Sequence, residues 1–216
     1  MSAVPSASTG TQAQGALYDY EVIVVGAGVS GIYQIKRLLE CGINATVLDG
    51  NSDVGGTWYN NRYPGARFDS ESYTYGYSFS KELLDEWHWS ERFSPQPETL
   101  RYLNYVVDKF DLREHMQFNC KVEAMIFDEE TDTWRLTLSD GRTLSCRFVI
   151  TALGPLSTPT LPNFEGMDDF KGLSFHPHHW PHDLTDLSGK RVGIIGTGAT
   201  AIQIIPVVAE QASELT

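Results

Sequence analysis

The sequence predicts an α/β fold, in which a Rossmann-like domain with a small antiparallel β-meander is followed by the start of a second Rossmann-like domain. Three observations lead to this prediction. An apolar run, a glycine-rich turn and a helical pattern follow one another from Tyr20, and the same order recurs from Arg191. Between them, the hydrophobic period changes from that of a helix to that of a strand.

The first domain begins with the elements of a βαβ unit. The short apolar run Tyr20–Val25 predicts a buried parallel strand, and the spacing of apolar residues predicts a helix over Val29–Leu39. Gly42 suits the left-handed position that follows such a helix. Ala45–Leu48 then predicts a second strand, which Asp49 closes.

The turn between the first strand and the first helix has the pattern of a dinucleotide site. Gly26 permits a tight turn, Gly28 lets the backbone approach a pyrophosphate, and Gly31 lets the helix pack closely on the strand. The N-terminus of the helix then presents N–H groups to phosphates. Asp49 lies 18 positions after Gly31, where a carboxylate can accept hydrogen bonds from ribose hydroxyls.

A long aperiodic segment, 51–94, precedes the next predicted helix, Pro97–Phe110. Loops of this length with so many aromatic residues are typical of functional sites. Gly55-Gly56-Thr57-Trp58 suits a loop pressed against a flat ring system, and Asp69 follows Tyr63-Pro64-Gly65; an ordinary turn with a solvated carboxylate is the alternative. Alternating aromatic residues predict one face of an extended, core-forming segment: Tyr73, Tyr75, Tyr77 and Phe79.

The meander and the second domain come next along the chain. Alternating apolar residues over 118–150 predict antiparallel strands, with a hairpin turn at Asp140-Gly141. Arg191–Ile195 predicts the first strand of the second domain, and its helix is expected from about Thr200 to the end of the chain. Ala201 replaces the third glycine of the pattern, which is common in NADP-type sites but leaves NADH and NADPH open. The strand carrying the residue that decides between them is expected beyond the chain.

Composition excludes several classes of function. The formal charge of −12 over 216 residues argues against a nucleic-acid surface and against an anionic membrane partner. No apolar run approaches the roughly 20 residues of a membrane-spanning helix. Residues 1–17 predict a disordered tail without a signal-peptide pattern, which indicates a cytoplasmic location. The cysteines are expected to be small buried groups in a reducing compartment: Cys41, Cys120 and Cys146.

Residues 170–181 contain three of the six histidines. Two prolines stiffen this run, and no carboxylate or cysteine is placed to complete a metal site, so we expect no metal here. A surface linker with some packed aromatic residues is the plainer interpretation.

Together these motifs resemble the Baeyer–Villiger monooxygenases, flavin enzymes that insert oxygen beside a ketone. The family pattern Phe-x-Gly-x-x-x-His-x-x-x-Trp-Pro is matched by Phe170, Gly172, His176, Trp180 and Pro181. The patterns Gly-Gly-x-Trp, Tyr-Pro-Gly-x-x-x-Asp and Ala-x-Gly are matched in order from Gly55, Tyr63 and Ala152. The resemblance extends from about Tyr18 to the last residue.

The resemblance implies FAD and NADPH as cofactors. The residues that it places along FAD are Gly26, Gly28, Ser30, Gly31, Asp49, Gly56, Thr57, Trp58, Asp69, Tyr75 and the backbone at Val122. Those that it places along NADPH are Gly196, Thr197, Gly198, Ala199, Thr200, Ala201 and Gln203, with Arg67 and Asp69 at the nicotinamide end. His176 and Trp180 are expected at the hinge between the domains, and Asp69 is the catalytic candidate.

By the same resemblance, residues 18–154 form the FAD-binding domain, 155–189 the linker and 190–216 the start of the NADP-binding domain. The implied reaction oxidises a small-molecule ketone with O₂ and NADPH to an ester or lactone. The arginine that pairs with Asp69 in the family is expected beyond residue 216, so a fragment, a truncated product and a chain completed by a partner all stay open. So do two other functions, a non-catalytic FAD-binding module and a nitrogen- or sulfur-oxidising flavin monooxygenase.

Overall fold

A computed structural model describes residues 18–181 and 186–216 of the chain. The predicted disordered tail, 1–17, lies outside the described residues. The strands are β1 (Tyr20–Val25), β2 (Ala45–Leu48), β3 (Met116–Gln117), β4 (Val122–Asp128), β5 (Thr133–Leu138), β6 (Thr143–Thr151), β7 (Arg191–Val192) and β8 (Glu214–Leu215). The α-helices are α1 (Val29–Glu40), α2 (Thr57–Asn60), α3 (Ser72–Tyr75), α4 (Lys81–Glu86), α5 (Gln96–Lys109) and α6 (Ala199–Ala209).

The first domain is built on a six-stranded sheet with the order β3-β2-β1-β6-β5-β4. β3, β2, β1 and β6 run parallel, whereas β5 and β4 continue from β6 as an antiparallel meander. β1 is central, with Val25 opposite both Leu48 and Thr151, so the turns after these strands meet at one edge of the sheet. The predicted α/β fold with its meander is confirmed.

The two faces of β1 belong to different hydrophobic clusters. Val22 and Val24 pack with α1 and α5, whereas Ile23 and Val25 pack with the meander. This alternation follows from the two-residue period of a strand. A parallel strand covered on both faces is continuously apolar, which is why the sequence pattern identified it.

The helix α5 packs its apolar side against the sheet. Leu103, Val106 and Val107 are buried along one face, as the spacing predicts, and Tyr102 is buried with them. The helix begins at Gln96 with Pro97 in its first turn, where the missing N–H of proline costs no hydrogen bond.

Three sequence expectations about local structure are wrong. The aromatic segment is not one extended face, because residues 72–75 form a helical turn in which Tyr73 is 72% exposed, whereas Tyr77 is buried. Cys41 follows the end of α1 and is exposed, although Cys120 and Cys146 are buried. The last helix ends at Ala209 rather than at the end of the chain.

A short strand after α6 completes a βαβ unit in the second domain. β8 pairs in parallel with β7, so the second strand of this unit is already present in the chain. Leu187, Ile204 and Val208 form its core. The expectation that this strand lies wholly beyond the chain is therefore wrong. Within 18–181 and 186–216, none of the helices combines the length and the apolar character that a membrane span requires.

Candidate functional site

The first glycine turn lies at the carboxyl edge of the sheet, between β1 and α1. Gly26 has φ +110°, and a Cβ there would lie 2.5 Å from the carbonyl oxygen of Ala152. A Cβ on Gly31 would lie 1.8 Å from the carbonyl oxygen of Gly26. Real atoms do not approach this closely, so these two glycines are required by the protein's own packing. Ala152 belongs to the Ala-x-Gly segment that follows β6.

Gly28 has a different environment. It is the N-cap of α1, has φ −82° and receives no capping side chain. A Cβ on Gly28 would lie 3.4 Å from Cα of Gly56, which is an ordinary contact. A Cβ on Gly56, whose φ is +53°, would lie 2.8 Å from Cα of Gly28. Two stretches of bare backbone therefore meet in front of the helix N-terminus.

This arrangement fits a pyrophosphate group. The amide of Gly55 donates to the carbonyl of Ala27 over 3.0 Å and holds the second loop against the first turn. A helix N-terminus without a capping side chain offers N–H groups and a positive dipole end to an anion. Ser30 is exposed in the first turn of the same helix.

Asp49 is buried beside the turn and is occupied by backbone hydrogen bonds. Its Oδ2 accepts from the amide of Ala27 over 2.6 Å, and its Oδ1 accepts from the amide of Asn51 over 2.8 Å. The residue therefore fixes the glycine turn to the end of β2. Each carboxylate oxygen has a second lone pair, so acceptance from ribose hydroxyls remains chemically available.

The meander reaches the same edge through Cys120. Its amide donates to the carbonyl of Asp49 over 2.8 Å, and Val122 begins β4 two residues later. Val122 is therefore tied to the end of β2 through the segment before β4 and not through the strand order, in which β4 lies at the far edge of the sheet.

An aromatic wall continues the site beyond Gly56. Trp58 lies on α2 directly after Thr57, and its Nε1 donates to the hydroxyl of Tyr75 over 2.6 Å. The ring of Tyr75 stacks on Phe68 with 4.4 Å between centroids. Burial raises the pKa of Tyr75, so it stays a neutral phenol. The structure brings Trp58 and Tyr75 together as one rigid group.

A cavity of about 310 Å³ lies where the two domains meet, and it is lined by Arg67, Phe68, Asp69, Phe93 and Gln203. Arg67 Nη1 pairs with Glu91 over 3.0 Å, and Asp69 is exposed. Gln203 comes from α6 of the second domain. The cavity therefore combines a cation, a carboxylate and a carboxamide from two domains.

The second glycine turn is more open than the first. Gly196 has φ +121°, and a Cβ on Gly196 or Gly198 would meet no atom of the described residues within 4 Å. Residues 196–199 are exposed, whereas Ala201 is buried against the core of the second domain. Gly198 is the N-cap of α6 with φ −74°, as Gly28 is for α1.

The linker holds the histidines in a compact turn. His176 Nδ1 accepts from the amide of His178 over 3.1 Å, and Trp180 packs edge-on against Phe175. Trp180 also contacts the core of the second domain. Burial and the two neighbouring histidines lower the pKa of His178. In the part of the chain that the structure describes, no group of three or more His, Cys, Asp or Glu residues could hold a metal ion.

Sequence reasoning missed Glu98, a buried carboxylate on α5. It accepts from the amide and hydroxyl of Ser90 over 2.9 and 2.8 Å and from the hydroxyl of Ser94. These bonds fix the segment that carries Glu91 and Phe93 beside Arg67. A glutamate in the first turn of a helix gives no sequence signal for such long-range partners.

Comparisons with known proteins agree with this architecture. Residues 19–216 match the family described as flavin-binding monooxygenase-like. The chain is 49% identical over 201 residues to the 2-oxo-Δ3-4,5,5-trimethylcyclopentenylacetyl-CoA monooxygenase of Pseudomonas putida, which covers 90% of this chain and 37% of that protein. It is 47% identical over 199 residues to a Baeyer–Villiger monooxygenase of Pseudooceanicola batsensis, which covers 92% of this chain and 36% of the relative.

A solved structure shows the same fold. The crystal structure titled OTEMO complex with FAD and NADP superposes with a TM-score of 0.87 at 48% identity, covering 92% of this chain and 38% of that one. The chain thus spans well under half the length of the proteins that it matches. The sequence-based resemblance is confirmed over nearly the whole chain.

Proposed function

Because the chain belongs to the flavin-binding monooxygenase-like family, we propose that it forms the FAD-binding part of an NADPH-dependent Baeyer–Villiger monooxygenase. One observation carries the proposal: bare backbone at Gly28 and Gly56 meets in front of an uncapped helix N-terminus. Because no side chain fills this space, a pyrophosphate can approach the backbone N–H groups of the turn. The crystal structure with FAD and NADP supports the choice of both cofactors.

In this proposal the first domain, 18–154, holds FAD. Its ADP part contacts the turn and the end of β2, and the rest of the cofactor follows the aromatic wall; the residues proposed are Gly26, Gly28, Ser30, Gly31, Asp49, Gly56, Thr57, Trp58, Tyr75 and the backbone at Val122. FAD when bound supplies the redox chemistry, accepting hydride and activating O₂. In this proposal the glycine turn fixes the position of the cofactor, and the rings of Trp58 and Tyr75 cover part of it from water.

We place NADPH along the second turn, residues 196–201, in the domain that starts at 190. Arg67 and Asp69 would meet its nicotinamide end, with Asp69 as the catalytic carboxylate, because both line the cavity between the domains. A carboxylate there orients cationic groups and balances their charge. The linker, 155–189, carries the proposed hinge residues His176 and Trp180. The substrate is proposed to be a small-molecule ketone, and the location the cytoplasm.

The test measures flavin content and product. We expect the purified chain to retain FAD; formation of an ester or lactone from a ketone with NADPH would show that the chain is active at this length. Flavin retention without NADPH consumption would favour the non-catalytic FAD-binding module. Paired ketone and sulfide substrates separate the remaining alternative, since sulfoxide formation without ester would contradict Baeyer–Villiger chemistry.

A further inference from the structure

The contact between the two domains is centred on one side chain, the carboxamide of Gln203. Its Nε2 donates to the carbonyl oxygen of Arg67 over 2.9 Å, and its Oε1 accepts from the amide of Arg67 over 3.3 Å. The same Oε1 accepts from the hydroxyl of Tyr63 over 2.9 Å. A side chain that bonds both backbone groups of one residue fixes that residue much as a neighbouring strand does.

Packing around the backbone of Gln203 is equally close. Gly65 has φ +80°, and a Cβ there would lie 2.2 Å from the carbonyl oxygen of Gln203 and 3.2 Å from Val207 Cγ2. Tyr63 packs with the core of the second domain. The Tyr-Pro-Gly motif therefore packs directly against α6. Its glycine permits the close approach of the helix backbone, and its tyrosine contacts the core of the second domain.

Arg67 is held from both ends as a result. Gln203 fixes its backbone, whereas Glu91 and the carbonyl of Phe93 accept from its guanidinium. Gln203 lies one helical turn after Ala199, the first residue of α6, and the second glycine turn precedes that residue. A displacement of α6 by a ligand at this turn would therefore move the backbone of Arg67 through these bonds.

We propose that Gln203 is a positioning residue that locks the backbone of Arg67 to α6 and couples occupancy of the second turn to the Arg67–Asp69 side of the cavity. The coupling rests on the proposed binding of NADP at that turn, whereas the lock does not. Glutamine suits the position because it both donates and accepts; methionine has a similar length and does neither strongly.

The first experiment compares Gln203→Met with Gln211→Met by amide hydrogen exchange. Gln211 provides a matched control, since its Oε1 accepts from the amide of Leu187 within the second domain. Loss of the bonds of Gln203 should speed exchange of the Arg67 amide about 10- to 100-fold, and the control should leave that amide unchanged. Equal exchange in the wild type and Gln203→Met would overturn the lock.

A second variant keeps the test decisive if Gln203→Met folds poorly. Tyr63→Phe removes one hydrogen bond and keeps the ring, so it should speed exchange of the Arg67 amide about fivefold. A smaller effect of Tyr63→Phe in the Gln203→Met background would support the shared contact. Unchanged exchange of the Arg67 amide in Tyr63→Phe alone would overturn the lock, and additive effects in the double variant would overturn the shared contact.

The third experiment separates positioning from a merely structural role. In the FAD-loaded chain, NADP⁺ should slow exchange of the Arg67 amide in the wild type and in Gln211→Met but not in Gln203→Met. Equal protection in all three would overturn the coupling. Absence of NADP⁺ binding to the wild type would instead refute the proposed second site and, with it, the coupling; the exchange rates without ligand still decide on the lock.

Discussion

Replacing Gly28 by alanine separates a packing requirement from a ligand requirement. The backbone there has φ −82°, which any residue adopts, and the new methyl would lie 3.4 Å from Cα of Gly56. Alanine is a poorer N-cap than glycine, but it also lowers the entropy of the unfolded chain by about 0.4–1 kcal/mol. These effects oppose each other, so we expect the free energy of unfolding to change by less than about 1 kcal/mol.

FAD binding should respond much more strongly. The methyl would occupy the space through which a pyrophosphate approaches the helix N-terminus, and forcing an extra methyl into a close contact costs about 1–3 kcal/mol. This corresponds to a roughly 5- to 150-fold rise in the dissociation constant of FAD. Titration by flavin fluorescence measures the constant, and urea unfolding measures stability.

A matched control is Gly193→Ala, where the new Cβ meets no described atom within 4 Å. The control should bind FAD as the wild type does. If Gly28→Ala also bound FAD with unchanged affinity, the cradle at Gly28 and Gly56 would not be the pyrophosphate site. Lost binding together with a large loss of stability would show that the 3.4 Å contact is not an ordinary one and that packing requires glycine there.

Further predictions test the surrounding structure. Gly31→Ala should cost at least about 3 kcal/mol of unfolding free energy in urea, since its Cβ would lie 1.8 Å from a backbone oxygen; a stable variant would contradict this. Burial raises the pKa of Glu98, but the hydrogen bonds that it accepts outweigh burial and lower it below its ordinary 4.5. The ionised carboxylate therefore stabilises the fold above pH 4.5, and this stabilisation is lost as the pH falls below that value. In Glu98→Gln the melting temperature should depend less on pH in that acid range, and a pH dependence equal to that of the wild type would contradict this reasoning. Burial raises the pKa of Cys146 to about 11, and Cys120 is buried too, so a thiol reagent at pH 8 should label Cys41 alone until the chain is unfolded; fast labelling of all three would contradict the burial.

Local features of the first domain could be predicted from sequence because neighbouring residues determine them. β1 and β2 are short continuous apolar runs, α1 has a helical period, and Gly26 and Gly31 fulfil steric roles within one turn. The approach of Gly28 to Gly56 could not be derived in this way, since it depends on how the long loop folds back. Only the resemblance to a family indicated that the two motifs belong together.

In the second domain, contacts between residues far apart in the sequence limit what the sequence can predict. The sequence predicts a helix up to the chain end, but α6 ends at Ala209 and the residues after it pair with β7 as β8. The family resemblance implies a contact of Gln203 with NADPH, and the structure shows its carboxamide bonded to Tyr63 and Arg67. Its partners Tyr63 and Arg67 lie 140 and 136 positions away, a distance over which residue spacing carries no information.

The glycines of the two turns and of the Tyr-Pro-Gly motif fall into two groups according to what an added Cβ would touch. At Gly26, Gly31 and Gly65 a Cβ would strike protein backbone, so the fold itself requires glycine there. At Gly28 and Gly198 the backbone has φ −82° and −74°, and a Cβ would make at most an ordinary contact with the described residues. Neither conformation nor packing then requires glycine at the N-cap of α1 or of α6, where Ser, Asn or Asp would cap the helix at least as well. A ligand that approaches the backbone of both turns does account for it, and this shared position is the strongest structural argument for two dinucleotides.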